Sequence, residues 1–287
     1  MQVNTSNTPL FTVAFGARGV IDINGNGISS DSFDSSNPNL STNGKYDPSK
    51  TSTNGDVASV VGPVDLGNHS FKGDLYLGPT ATFTGDSNQV SGTIHNDFNL
   101  DFPSVVPPAG FTSWVPKIPL PTVVGGITYN YAFFSDGDHT IGSSGSIYVA
   151  PSVKVRLRVT AANFSPSAIR IAGTNSIAGK LTIYMAGAST TMSGNTTVES
   201  GNAANFNYFG LTNNTSITYG GGSTFVGTIY APDADLTLNG GGGNLGLIGS
   251  SITKTIQMGG HYNFHFDENL LKAGPPRAYT IASWREL

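Results

Sequence analysis

One stretch of the chain repeats against itself, and the length of the repeat limits what the whole can fold into. In residues 225–268, FVGTIYAPDADLTLNGGGGNLGLIGSSITKTIQMGGHYNFHFDE, the tetrad Val226-Gly227-Thr228-Ile229 returns as Leu245-Gly246-Leu247-Ile248, nineteen positions on. Leu236, Leu238 and Gly240 return as Ile256, Met258 and Gly260, twenty positions on. Each unit is a short alternating apolar run, a Gly-rich corner and another run. A period near twenty built this way is the mark of a β-solenoid. A single coil cannot bury its own apolar face, but stacked coils can, with inward side chains forming one column. The expected fold is therefore all-β, a parallel β-helix with coils of about 20 residues.

The same spacing occurs far upstream. Phe71-Lys72-Gly73-Asp74-Leu75 and Val90-Ser91-Gly92-Thr93-Ile94 lie nineteen apart, so one β-helix domain is expected over 1–287. Two segments interrupt the pattern. Residues 35–56 are polar and turn-rich and are expected to form an exposed loop between coils. Residues 103–121 are rich in proline, which removes the ladder donor and favours extended backbone. They read as a strap crossing the coils, anchored by Phe102, Phe111, Trp114 and Ile118. Residues 127–150 carry two further strand-like runs. At the C-terminus, Asp267 as N-cap and Gly274 as stop predict a short helix over 267–273. A final strand, AYTIASW, follows. Such a terminal helix is expected to cap an open end of the stack.

Composition narrows the function. Charged residues are 11% of 287 and the net charge is -4, which argues against a nucleic-acid binder. Cysteine is absent, so disulfides, zinc-thiolate sites and Cys nucleophiles are excluded. No apolar run approaches the roughly 18 residues of a membrane span. Residues 9–16 are too short for a signal core and lack a basic flank. A signal or anchor segment is thus expected to lie outside this chain.

Several groups could carry chemistry. Asp22, Asn24 and Asn26 before Gly27 match the first half of a calcium loop, with Asp31 and Asp34 close behind. Phe33 occupies the position where a bidentate Glu is needed, and Asn-Gly turns explain the rest, so no metal and no cofactor is expected. In VKVRLRV, Val153, Val155, Leu157 and Val159 face inward and Lys154, Arg156 and Arg158 face outward. That basic row, with Trp114, is the candidate glycan contact, to be weighed against an ordinary solvated face. Trp114, Tyr129 and Tyr131 are expected to be exposed. His261, Asn263, His265 and Asp267 share one strand face, opposite Tyr262, Phe264 and Phe266. Two His four residues apart on a strand are roughly 13 Å apart, too far to ligate one metal. They are expected to be outward or capping residues. Asp136-Gly137-Asp138-His139 reads as a turn, and Asp233 and Asp235 as a corner with no third acid to join them. No nucleophile elbow, phosphate loop or dinucleotide fingerprint is present.

Five separated motifs carry a resemblance to a known family. They are Asp31-Ser32-Phe33-Asp34-Ser35-Ser36, Leu181-Thr182-Ile183-Tyr184, Phe225-Val226-Gly227-Thr228-Ile229-Tyr230-Ala231-Pro232, His265-Phe266-Asp267-Glu268 and Ser283-Trp284-Arg285-Glu286. Together they resemble the β-helical domain of unknown function found in PilX-like pilus-assembly proteins and other bacterial surface proteins. The resemblance implies a right-handed parallel β-helix outside the cytoplasmic membrane, and no active site. Bactofilins and ice-binding β-solenoids share the repeat logic, but ice binding needs a flat Thr ladder and Thr80, Thr82 and Thr84 are too isolated. The expected function is a non-enzymatic structural or adhesive module of the bacterial cell surface. Its expected partners are surface or pilus proteins, or glycans. The alternative is a β-helix that binds or degrades polysaccharide.

Overall fold

A computed structural model describes residues 2–25, 27–192, 195–220, 224–239 and 246–285, with side chains over 8–277 of these. The chain is mostly strand, and the main sheets are parallel. Alternation decides the burial: in Lys154–Val159 the pattern is Val155, Leu157 and Val159 buried against outward Lys154, Arg156 and Arg158. The same holds for Leu181, Ile183 and Met185, all at 0% exposure. These inward side chains join one hydrophobic core that runs from Phe11 to Leu270.

The stacking order is not the chain order. Strands after residue 130 stack in sequence. On one face Gly137–Ile141, Lys154–Val159, Lys180–Met185 and Phe206–Gly210 lie side by side, followed by Phe225–Asn239 and Gly246–Met258. The N-terminal strands stack the other way, from Phe15–Ala17 through Val57–Ser59 and Leu75–Leu77 to Ile94–His95. The last coil then sits on the first. Ser251 pairs with Phe15, Ile256 with Ile21 and His265 with Asp31. The molecule thus has two arms that meet at a seam formed by its first and last coils.

This arrangement corrects the expected cap. The helix exists, shortened to Leu270–Ala273, but it lies beside the seam and not at an end of the stack. Asn269 occupies the cap position, because Asp267 is the last residue of the strand Asn263–Asp267. The final strand, Pro276–Arg285, pairs antiparallel with Gln2–Pro9, outside the parallel stack.

Coil length also varies more than the repeat suggests. Phe71 pairs with Val90 and Leu75 with Ile94, as the nineteen-residue spacing predicts. Leu236 pairs with Ile256 and Leu238 with Met258, again as expected, while Gly240 lies outside the described residues. Gly227, however, pairs with Gly249, not Gly246. The irregularity between Ala231 and Asp235 absorbs the difference, at the corner expected there. Elsewhere coils range from sixteen residues, Tyr131 to Ile147, to twenty-seven, Thr190 to Ile217, and to forty-three, Ile21 to Val64, where the loop 35–56 is inserted. Corners tolerate insertion because only the strands must stay in register.

The proline-rich segment is the strap that lets the chain change arms. It follows a single row of outward residues from His95 and Tyr76 through Gly16, Tyr230, Phe209 and Tyr184 to Arg158 and Thr140. Along it Phe98 meets Tyr76, Phe102 caps Gly16, Pro103 O accepts from the Tyr230 hydroxyl at 2.8 Å, and Phe111 and Trp114 pack on Tyr184. A Cβ at Gly16 would press on the Phe102 ring at 3.2 Å, which accounts for glycine there. About ten inter-strand steps span roughly 48 Å, and about twenty extended residues reach roughly 66 Å, so the crossing is made without strain. Phe102 and Phe111 are buried as expected, Trp114 is buried as an anchor although its exposure was also expected, and Ile118 is 77% exposed and anchors nothing.

Candidate functional site

The residues singled out as metal candidates do not converge. The Asp22 carboxylate accepts from Asn24 Nδ2 at 2.5 Å, and Asn26 lies outside the described residues. Asp31 faces His265, while Asp34 accepts from Ser36 and from Lys272 Nζ at 3.0 Å. Among the described residues no three His, Asp or Glu side chains gather as a metal site would require.

Asp31 and His265 belong instead to the seam. Their strands lie in register, and His265 Nδ1 is 2.5 Å from Asp31 Oδ1, both side chains buried. The Tyr46 hydroxyl donates to Asp31 Oδ2 at 3.0 Å, and its ring stacks on His265 at 3.7 Å between centroids. Burial, with Asp31 nearby, holds the Tyr46 hydroxyl well above its ordinary range. The loop 35–56 is therefore only partly an exposed loop, since it lays Tyr46 over the seam and buries Ser41. Beside it, Ser32 Oγ and Asn54 Nδ2 both donate to Glu268 Oε1, at 2.7 and 2.9 Å. Asp267 is fully buried and accepts main-chain N–H groups of Ser35 and Asn269 at 3.0 and 3.1 Å. Burial pushes its carboxyl above the usual value, against those hydrogen bonds. Asp31-Ser32-Phe33-Asp34 and His265-Phe266-Asp267-Glu268, more than 230 residues apart in sequence, thus form one polar clasp. Among the described residues no nucleophile is hydrogen-bonded to His265, and the clasp joins the two arms.

The basic row points outward but is largely engaged. Arg156 makes a forked ion pair with Asp138, through Nε at 2.6 Å and through Nη2, and its guanidinium lies 5.0 Å from the Trp114 ring. Arg158 lies over Phe111 at 5.1 Å. Trp114 is 7% exposed beneath this layer, and Tyr129 and Tyr131 are buried, so none of the three offers a ring face to a glycan. Trp114 sits on the strap itself, its ring packed on Tyr184 and against the Arg156 guanidinium. Residues 137–141 form a strand and not a turn, because Asp138 is the register partner of Arg156. Asp233 is paired with Arg18 at 2.6 Å and Asp235 with Lys254 and Thr255, so the two acids are not free to work as a pair.

A cleft of about 570 Å³ lies where the strap leaves the sheet face. Its floor is Thr182, Tyr184, Asn207, Phe209 and Tyr230, outward positions on neighbouring strands. Pro103–Val106, Leu10, Gly274–Arg277, Arg156 and Lys180 complete the lining. Tyr184 and Phe209 are stacked at 5.2 Å, and Tyr230 meets Phe209 edge-on at 6.4 Å. Burial and the neighbouring Lys154 lower the Lys180 ammonium pKa. Sequence reasoning missed this cleft, since its parts come from segments far apart in the chain. The signal within reach was the outward apolar run Tyr184, Phe209 and Tyr230 on strands otherwise polar outside.

Fold and clefts define the class as an all-β protein of stacked parallel strands. Residues 131–273 match the domain of unknown function DUF7305. A similar solved structure is described as an ice-binding protein from an Antarctic biological consortium, with 14% identity and a TM-score of 0.40 over 93% of this chain and 95% of that one. No curated protein matches the sequence. None of these matches links the chain to PilX-like proteins. Among the described residues no helix is long and apolar enough to cross a membrane.

Proposed function

We propose that the chain is a right-handed parallel β-helix acting as a non-enzymatic structural or adhesive module at the bacterial cell surface. The observation that carries this reading is the seam. First and last coils join in register through a buried clasp, giving one uninterrupted stack with a continuous core. Such a stack suits a stiff spacer or scaffold better than a mobile enzyme. Low charge and absent cysteine are compatible with exposure outside the cell. A pilus association rests on the motif resemblance alone. Two measurements test the reading together: release of reducing ends from acidic and neutral polysaccharides, and location of the tagged chain expressed from its own reading frame. No released sugar and a surface signal are expected. Released reducing ends, or retention inside the cell, would overturn it.

A further inference from the structure

The cleft between strap and sheet differs from the rest of the surface in charge and in what its lining leaves unsatisfied. Arg156, Lys180 and Arg277 line it, and no Asp or Glu does. Arg156 is already matched by Asp138. Lys180 stands in register beside Lys154 and has no carboxylate within ion-pair reach among the described residues. Arg277 donates to the main-chain oxygen of Asp101 at 2.6 Å and is likewise without an acidic side-chain partner among them. The hydroxyls of Thr182 and Tyr184, both half-buried, find no hydrogen-bond partner among the described residues. Tyr184 and Phe209 stack along the strand ladder, so they turn ring edges to the cleft, and ring edges carry the positive part of the aromatic quadrupole. The lining is therefore cationic, hydroxyl-bearing and edge-aromatic at once. Its volume of about 570 Å³ is far larger than one small anion needs and falls in the range of sites for multi-ring ligands.

We infer that this cleft binds an anionic saccharide, a short run of carboxylate-bearing sugars, with carboxylates toward Lys180 and Arg277 and hydroxyls toward Thr182 and Tyr184. The inference rests on the adhesive form of the function proposed above and names its ligand class. Charge complementarity selects the anion, and the free hydroxyls select a polyol over an apolar acid. The basic row expected to contact glycans contributes only Arg156. Lys180 and Arg277, which the row did not include, are the cations left unmatched.

Isothermal titration with tetragalacturonate, maltotetraose and a tetraglutamate peptide tests this, with the fold checked by far-UV circular dichroism. Tetragalacturonate should bind about tenfold tighter than either comparison ligand, and its affinity should fall several-fold between about 50 and 300 mM salt. Lys180→Gln and Arg277→Gln should each weaken it about fivefold or more, and Lys50→Gln, in the distant polar loop, should not. No binding by the folded chain, equal binding of maltotetraose, or equal binding of tetraglutamate overturns the assignment. A surface-located chain that fails to bind the uronide loses only this inference. A chain that binds it but releases reducing ends loses the non-enzymatic reading.

Discussion

The two arms use the same stacking rule and are held by different forces. The arm after residue 130 holds the longest strands of the parallel stack, Lys154–Val159, Lys180–Met185 and Phe225–Asn239 among them, beside short ones such as Ile147–Val149 and Ile169–Ile171, and columns of Ile, Leu, Phe and Tyr fill its interior. In the N-terminal arm, beyond the seam strand Ser29–Phe33, the strands have two or three residues, as at Val64–Asp65, Leu75–Leu77 and Ile94–His95. There the corners do more of the holding. Asp56 Oδ1 accepts the N–H of Asp74 at 2.8 Å, and Asp74 Oδ1 accepts that of Thr93 at 2.8 Å, one coil further. The preceding position, Gly92, has no room for a Cβ, which would collide with Asp74 Oδ1 and the main-chain oxygen of Gly73. A short coil can therefore stay in register with little core, provided its corners hydrogen-bond to the next coil.

The largest expected effect lies in the packed arm. Ile183 is fully buried between Leu157 and Tyr208 on the adjacent strands. Ile183→Ala should cost about 2–5 kcal/mol, the transfer term plus the cavity left behind. Urea unfolding measures it, at unchanged m-value. A loss no larger than that of a corner substitution would remove the distinction between the arms.

The seam comes next, because both arms depend on it. His265→Phe keeps a ring to stack on Tyr46 but leaves Asp31 Oδ1 without its partner in a buried site. The expected cost is about 1–3 kcal/mol. Amide exchange should then rise first in Ser29–Phe33 and Asn263–Asp267, the strands that meet there. Uniform loss of protection across both arms would show that the clasp is not where they join.

How much of this could be read from residues alone follows from what repeats and what does not. Alternation and the nineteen-residue spacing are local, so the parallel strands, their inward residues and the strap's Phe102 and Phe111 were legible. The order of the coils was not. Nothing near Phe15 says that its neighbour is Ser251, 236 residues later, since any alternating strand could pair with any other. For the same reason Asp31 read as a spare oxygen beside an Asn-Gly turn and His265 as an outward or capping residue, when each is the other's partner. Trp114 read as exposed because the residues that bury its ring, Tyr184 and Arg156, lie on distant strands. The cleft needed the strap, four strands, Leu10 and residues 274–277 to be placed together.

A smaller effect is expected at the N-terminal corners. Asp74→Ala removes the acceptor for Thr93 N–H and the partner of His95 and Tyr76. Water can reach these positions, so the cost should be about 0.5–1.5 kcal/mol. Its pH dependence has a definite sign. The hydrogen bond from Thr93 N–H, the largest cause, holds the Asp74 carboxyl below its ordinary value of 3.8. The folded state therefore binds fewer protons there than the unfolded one. Asp74 contributes stability above the unfolded value, lost as pH falls through the folded one. Asp56 is shifted upward, chiefly by burial, and works in the opposite direction, its unfavourable burial relieved on protonation. Asp74→Ala should thus flatten the acid limb of the stability curve, with faster amide exchange confined to residues 57–95. A steeper acid limb would mean that Asp56, not Asp74, sets the corner's response.

The smallest expected effect is none at all, on adding calcium. The spacing of Asp22, Asn24, Asp31 and Asp34 invites a hard cation, which takes six to eight oxygens at about 2.3–2.6 Å. The described residues turn those oxygens to other uses: Asp22 to Asn24, Asp31 to His265 and Tyr46, Asp34 to Ser36 and Lys272. Burial alone would raise the Asp34 carboxyl, but the hydrogen bonds from Ser36 and Lys272 outweigh it and hold the group below its ordinary value. A cation would have to displace those donors and the Lys272 ammonium, at a cost a weak site does not recover. Millimolar calcium should therefore leave the melting temperature unchanged, and chelator should not lower it. A rise with calcium that is lost in the Asp22→Asn, Asp31→Asn double variant would show that these oxygens regroup around an ion. It would also make the N-terminal arm, the one with least core, the arm that a metal stabilises.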